Sequence, residues 1–198
     1  MAKPSWAATS PSSGSGNGTV NISGSTHTGR AQRSGTLTYK ASGVSDVPQS
    51  VTQEAKPEFV IIHDVSASKD GGNVTITGTT NSASITFALG AGDIDVSLPG
   101  NYSAGGAGTA NGAAIAGDPG ASAEFNFALT IAVPANGTIA AKSRVVAVTA
   151  AGGQQASATI SQAAGDPVLS VSPASITLSA AGTAVAVNVT SNTNWTVE

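Results

Sequence analysis

No cysteine occurs anywhere in the 198 residues. Disulfide scaffolds, zinc ribbons and thiol nucleophiles are excluded together, and the redox compartment cannot be read. Histidine is almost as scarce, with two residues, and only 10% of the chain is charged, against about 25% in ordinary globular proteins. Enzymes draw acids, bases and metal ligands from these residue types, so neither an enzyme nor a cofactor is expected. The five Lys and three Arg are scattered and cannot form the basic stripe that nucleic acid requires. No window approaches the ~18 consecutive apolar residues of a membrane-spanning helix. The opening Met1-Ala2-Lys3-Pro4-Ser5-Trp6 runs into a Ser/Gly tract, with no apolar core of a secretory signal and no cysteine for a lipid anchor. The expectation is a soluble protein, made in a cytoplasm, that leaves it only inside an assembly.

What the chain does have is a period of two. Apolar residues make up 40% of it. Val20 and Ile22 alternate with Thr19, Asn21 and Ser23; Leu37 and Tyr39 with Thr36 and Thr38; Val74 and Ile76 with Asn73, Thr75 and Thr77. Ile85, Phe87 and Leu89 follow, then Ile94, Val96 and Leu98. The longest run is Phe125, Phe127, Leu129, Ile131 and Val133, and later ones hold Val145/Val146/Val148, Ala158/Ile160, Ile176/Leu178 and Val185/Val187/Val189. Such alternation turns one face to a core and a Thr/Ser/Asn face to water. Turn residues separate the runs at Asp70-Gly71-Gly72, Asn136-Gly137, Gly152-Gly153 and Ala181-Gly182. The pattern predicts an all-β chain of antiparallel sandwiches.

Two proline joints, Lys56-Pro57 and Asp166-Pro167, divide the chain, and the residues before them repeat: Val51-Thr52-Gln53-Glu54-Ala55 and Ile160-Ser161-Gln162-Ala163. An Arg precedes each Gln, Arg33 before Gln53 and Arg144 before Gln162. Both stretches read as the closing strands of one kind of module. Residues 58–165 hold a full set of strands, interrupted by a Gly/Ala-rich stretch near 99–122 that predicts a long loop ordered only against a partner. Residues 5–56 hold about half a sandwich, and residues 167–198 hold the missing half.

Set tail before head, the chain reads Pro167-Val168-Leu169-Ser170-Val171 … Asn192-Thr193-Asn194-Trp195-Thr196-Val197, then Ser5-Trp6 … Ser13-Gly14-Ser15-Gly16 … Val20-Asn21-Ile22 … Arg33 … Val51-Thr52-Gln53. In that order it resembles the BACON domain, an immunoglobulin-like sandwich frequent in Bacteroidales proteins and their gut phages. The family signature has a first Trp, a second Trp, an sGsG turn, an Arg and a closing vtQ. All five parts are here in permuted order. Residues 58–165 match at the Arg144 to Gln162 ending but lack both Trp positions. The resemblance implies two immunoglobulin-like (BACON-like) β-sandwich domains, 5–56 plus 167–198 and 58–165.

Half a sandwich leaves a core face and unpaired strand edges exposed. Docking residues 167–198 on residues 5–56 buries Val168, Val171, Ile176, Leu178, Val185, Val187 and Trp195 among others. The gross gain exceeds ~10 kcal/mol before chain entropy is subtracted. The tail is either the chain's own, which makes a permuted domain, or a neighbour's, which makes a strand-swapped homo-oligomer. The remaining reading is a frame cut artificially at both ends.

Candidate chemistry is sparse. His27 lies in a polar loop, and His63 adjoins Asp64, but adjacent strand residues point to opposite faces, so solvated loop and edge roles are expected. Asp93 and Asp95 share a face at i and i+2, which the amphipathic alternation with Ile94, Val96 and Leu98 explains; a Ca²⁺ shared with Asp118 is the alternative. Trp6, Tyr39, Tyr102 and Trp195 are the candidate glycan-stacking aromatics, set against core packing. Arg33 and Arg144 are expected to bond backbone carbonyls or an acid. The sequence expectation is a non-enzymatic bacteriophage structural protein of the virion, a capsid-decorating auxiliary or head-fibre component whose partners are other virion proteins. The alternative is a carbohydrate-binding adhesion module for host or mucus glycans.

Overall fold

A computed structural model describes residues 2–198. Its strands are β1 (Ala7–Ser10), β2 (Asn21–Gly24), β3 (Arg33–Tyr39), β4 (Val47–Gln53), β5 (Val60–Ile62), β6 (Val65–Ala67), β7 (Gly72–Thr80), β8 (Ile85–Gly92), β9 (Asn101–Ala104), β10 (Ala107–Ala110), β11 (Phe125–Val133), β12 (Lys142–Ala150), β13 (Gln155–Gln162), β14 (Leu169–Ser172) and β15 (Asn188–Ser191). A single 3₁₀ turn, Pro119–Ala121, interrupts them. The chain is all-β, as its alternation predicts.

The middle segment forms two sheets, ordered β10-β9-β11-β7-β5 and β6-β13-β12-β8. They close on one core in which Ile76, Ile85, Ile94, Phe127, Leu129, Ile131, Val146, Val148 and Ile160 are buried. The residues between them in sequence, such as Thr75, Thr77 and Thr130, face water. Phe87 meets both Tyr102 and Phe127 edge-on, with ring centroids 5.1 and 5.7 Å away. Gly78 has to be glycine, because a Cβ there would run into the Ile61 carbonyl and the Phe127 ring.

The chain changes sheets at His63-Asp64. β5 pairs antiparallel with β7, whereas β6 pairs parallel with β13 in the opposite sheet. The His63 amide bonds the Thr77 carbonyl at 3.0 Å, and Asp64 Oδ1 accepts the Thr159 amide at 2.7 Å. The two residues therefore pin the crossover to both sheets.

The stretch 99–122 is not the long loop that its composition suggests. It folds into the β9–β10 hairpin, whose turn glycines Gly105 and Gly106 have φ of 56° and 86°, the signs a tight primed turn needs. Asn111 then bonds both the amide and the carbonyl of Phe87, at 2.7 and 3.0 Å, and Ile115 is buried in the core. The segment orders against its own sandwich, and a partner is not required. Alternation over four-residue strands of Gly, Ala and Ser is too weak a pattern to stand out.

The two ends differ from the middle. Residues 5–56 form two separate two-stranded sheets, β1–β2 and β3–β4, and the tail forms a third, β14–β15. The tail pairs with neither sheet of the head, which corrects the expectation of a self-closed, permuted domain. The strand expected at Ile176–Ser179 is absent, and of the one expected at Val185–Val189 only the end is formed, as part of β15 (Asn188–Ser191), because no partner backbone lies beside the rest. Val168, Leu169, Val171, Ile176, Leu178, Val185, Val187 and Trp195 all remain exposed.

Replacing Phe127 by alanine removes the ring at the centre of the middle core. The expected cost is about 3–5 kcal/mol, read as a lowered urea midpoint by circular dichroism; a change under about 1 kcal/mol would contradict this packing.

Candidate functional site

The residues with chemical potential are dispersed into structural roles. His27 is half-buried, and its Nε2 lies 2.7 Å from the Ala31 carbonyl, so it braces a loop and is not a freely solvated residue. His63 is exposed, and Asp64 is committed to Thr159. Asp93 and Asp95 lie just past β8 with buried Ile94 between them, and Asp93 Oδ1 accepts the Ser143 amide at 2.7 Å. Asp118 pairs instead with Arg30. Among the described residues no cluster of His, Asp or Glu could hold a metal ion.

Both arginines do reach carbonyls. Arg33 bonds the Ser25 carbonyl and Gln53 Oε1, and Arg144 bonds the Ile94 and Gly90 carbonyls. They are nevertheless not equivalent positions. Strand register pairs Arg33 with Gln53 but Lys142 with Gln162, so Arg144 corresponds to Gly35.

The four aromatics are not gathered into one platform. Tyr102 is 3% exposed and belongs to the middle core, which removes it from any sugar-stacking set. Trp6 is half-buried, with the Arg33 guanidinium 4.9 Å above its ring. Tyr39 is partly exposed and donates its hydroxyl to Gln49 at 2.7 Å. Trp195 is 49% exposed on the separate tail.

What the structure does assemble is a joint, and it builds that joint twice. Asn81 is fully buried between head and middle. Its Oδ1 accepts the Phe59 amide at 3.0 Å, and its Nδ2 lies 3.2–3.3 Å from the Thr28, Lys56 and Pro57 carbonyls. Between middle and tail, Asn192 Oδ1 accepts the Val168 amide at 2.8 Å, and its Nδ2 donates to the Gly137 and Asp166 carbonyls at 3.0 and 2.8 Å. Equivalent positions differ by 109 residues on the preceding module and the joint, and by 111 at the asparagine.

The supporting bonds repeat with the same offset. The Lys56 amide bonds the Gly29 carbonyl, and the Gly165 amide bonds that of Thr138. Gln53 Nε2 donates to the Ser25 carbonyl at 2.9 Å, and Gln162 Nε2 to that of Pro134 at 2.7 Å. His27 and Asn136 each engage the carbonyl four residues on. Ion pairs flank both joints, Arg30–Asp118 and Lys56–Glu124 at the first, Lys69–Asp166 at the second. The hydrogen bond to Asp166 raises the pKa of Lys69 above its ordinary value. These pairs sit at the surface, where solvent and salt screen them; the buried Asn81 and the half-buried Asn192 carry the joints. Sequence reading found the proline joints but missed Asn81 and Asn192, whose only signal is the shared Thr/Ser-Asn-Ser/Thr around each.

The outer ends are open. Head sheets β1–β2 and β3–β4 enclose a cleft of about 560 Å³, lined by Thr9, Val20, Leu37 and Tyr39 among others. A shallower groove of about 380 Å³ on the middle sandwich is lined by His63, Thr77, Thr79, Ser103 and Asn126, which offers hydroxyls and one imidazole but no acid to orient them. No protein-family model matches the chain, and no curated protein matches it.

Two outcomes check this geometry. Asn81→Ala strands buried backbone groups at the first joint, and the expected loss is about 1–3 kcal/mol in urea unfolding; an unchanged midpoint would remove its structural role. Burial holds the Tyr102 phenol above its ordinary value of 10.0. The folded state keeps that proton longer than the unfolded chain, so this contribution is complete below pH ~10 and is lost as pH rises beyond it. Phenolate absorbance should show Tyr102 ionising together with unfolding, and its earlier ionisation in the folded protein would contradict the burial.

Proposed function

We propose that the chain is a non-enzymatic structural protein of a bacteriophage virion, decorating the capsid as an auxiliary or head-fibre component. The observation that carries the reading is the repeated joint: Asn81 and Asn192 set sandwich modules in series with the same backbone bonds at offsets of 109 and 111 residues, while the reactive side chains are spread over structural roles. Modules repeated in series through one kind of joint suit a protein whose work is structural.

The strand order supports immunoglobulin-like, BACON-like domains. One sheet of the middle runs β9-β11-β7-β5 and the other β6-β13-β12-β8, the arrangement of a Greek-key sandwich whose first strand is shared between sheets. The permuted Trp195, Trp6 and Gln53 signature supports the same family, and with it the association with Bacteroidales phages. The adhesion reading keeps one favourable observation, the exposure of Trp195 and Tyr39.

Immunogold labelling of purified virions with antibody against the chain should decorate capsid surfaces. Virions without label, from cells that express the protein, would overturn the virion role. Reproducible binding on a glycan array that is lost in Trp6→Ala would replace decoration by adhesion as the primary function.

A further inference from the structure

The two sheets of the middle sandwich have four edge strands, and three of them are short. β5 and β6 have three residues each and β10 has four. The fourth, β8, runs for eight residues at the end of its sheet. A long edge presents amides and carbonyls in a row and is a template for pairing with another chain. Thr86 and Ala88 lie opposite Thr149 and Ala147 of β12. The backbone groups of Ile85 and Phe87 turn the other way, towards the open side of the sheet.

That outward row is met from beyond the sheet by residues 111–115. The Ile115 amide bonds the Ala83 carbonyl at 2.9 Å, and the Gly112 amide bonds the Ile85 carbonyl at 3.1 Å. Ser84 is bridged to Ala114 in the same stretch. At Phe87 a side chain takes over from backbone. Asn111 Oδ1 accepts the Phe87 amide at 2.7 Å, and its Nδ2 donates to the Phe87 carbonyl at 3.0 Å. Farther along, Arg144 Nη1 donates to the Gly90 carbonyl at 3.1 Å.

The composition of this stretch suits the task. From Gly105 to Gly117 only Thr109 and Asn111 carry polar side chains, and Thr109 is buried. The other residues are Gly and Ala apart from Ile115, which anchors the stretch in the core. Gly112 has a φ of 77°, the left-handed region that favours glycine. A carboxamide offers a donor and an acceptor as a peptide group does. A backbone placed beside Phe87 would carry its own open far side, whereas a side chain ends the ladder there.

We infer that Asn111 is an edge guard: by occupying both backbone groups of Phe87 it prevents β8 from pairing with the same edge of a second copy of this chain. Without the carboxamide, residues 111–115 hold the edge only up to Ile85, and the stretch from Phe87 to Gly90 opens. Two copies would then meet through the freed amide and carbonyl of Phe87. The guard goes beyond the structural role proposed above and does not depend on it, since it concerns what the middle sandwich is kept from doing.

Three variants test the guard, with the unmodified chain as the reference in each measurement. Asn111→Ala leaves both Phe87 groups unpaired, so the mass in light scattering should at least double and should rise with protein concentration. Asn111→Asp keeps the acceptor but loses the donor and sets a charge beside the Phe87 carbonyl. It should weaken the fold, read as a lowered urea midpoint, yet keep the reference mass, because like charges now face each other across the edge. Asn111→Ala with Ala88→Lys places a lysine on the exposed side of the open strand, a known block to edge pairing, and should also keep the reference mass.

Hydrogen exchange at Phe87 locates the contact. In dilute Asn111→Ala this amide should exchange faster than in the unmodified chain, and it should slow again as concentration rises and a second copy takes the bond. A reference mass for Asn111→Ala overturns the guard. So does association of Asn111→Asp to the same extent, which would make destabilisation the cause, and so does association that leaves the Phe87 amide exchanging freely. The virion role stands or falls on labelling, whichever way these measurements come out.

Discussion

A single buried amide, the side chain of Asn81, fixes where one module stops and the next begins. The last residues of the head, Lys56 and Pro57, leave their carbonyls without strand partners, and the first residue of β5's approach, Phe59, leaves an amide. Buried backbone groups of this kind cost about 1–3 kcal/mol each when unpaired. An asparagine offers an acceptor and two donors on one rigid plane, so its oxygen meets the Phe59 amide while its two N–H groups are shared among the Lys56, Pro57 and Thr28 carbonyls, the last belonging to the preceding module. The orientation of the modules follows from that geometry.

Asn192 does the same for the tail, and this repetition gives the outer segments their meaning. The tail is joined to the middle as the middle is joined to the head. Such repetition is the logic of an array, in which each unit contacts its neighbours through one kind of interface.

The scarcity of charge fits the same picture. With 10% charged residues, most of the ion pairs lie at joints or turns, Arg30–Asp118, Lys56–Glu124 and Lys69–Asp166 at the joints and Lys40–Asp46 across the β3–β4 turn. The strand faces turned to water are Thr, Ser and Asn, which add hydroxyl and amide contacts such as Thr75–Thr130 and Thr79–Asn126. Three of the side chains that could have formed a reactive centre are spent on backbone: His27 on Ala31, Asp64 on Thr159 and Asp93 on Ser143.

The sequence by itself determined the all-β class, the positions of most strands in the middle segment and the two halves at the ends, because period-two alternation and turn glycines act over a few residues and need no distant partner. It also located the joints through Pro57 and Pro167. Tertiary structure decided what depends on neighbours far along the chain. It turned the Gly/Ala-rich stretch from 99 to 122 into a hairpin and a core lid, because β9 finds β11 and Ile115 finds the core. It moved Tyr102 from a candidate surface platform to the interior beside Phe87, and it matched Arg33 with Lys142 instead of Arg144, since register is a property of paired strands and cannot be counted along one. It left Ile176 to Val187 without strand structure, although their alternation is as regular as that of Val74 and Ile76, because a strand forms only where a second backbone accepts its hydrogen bonds.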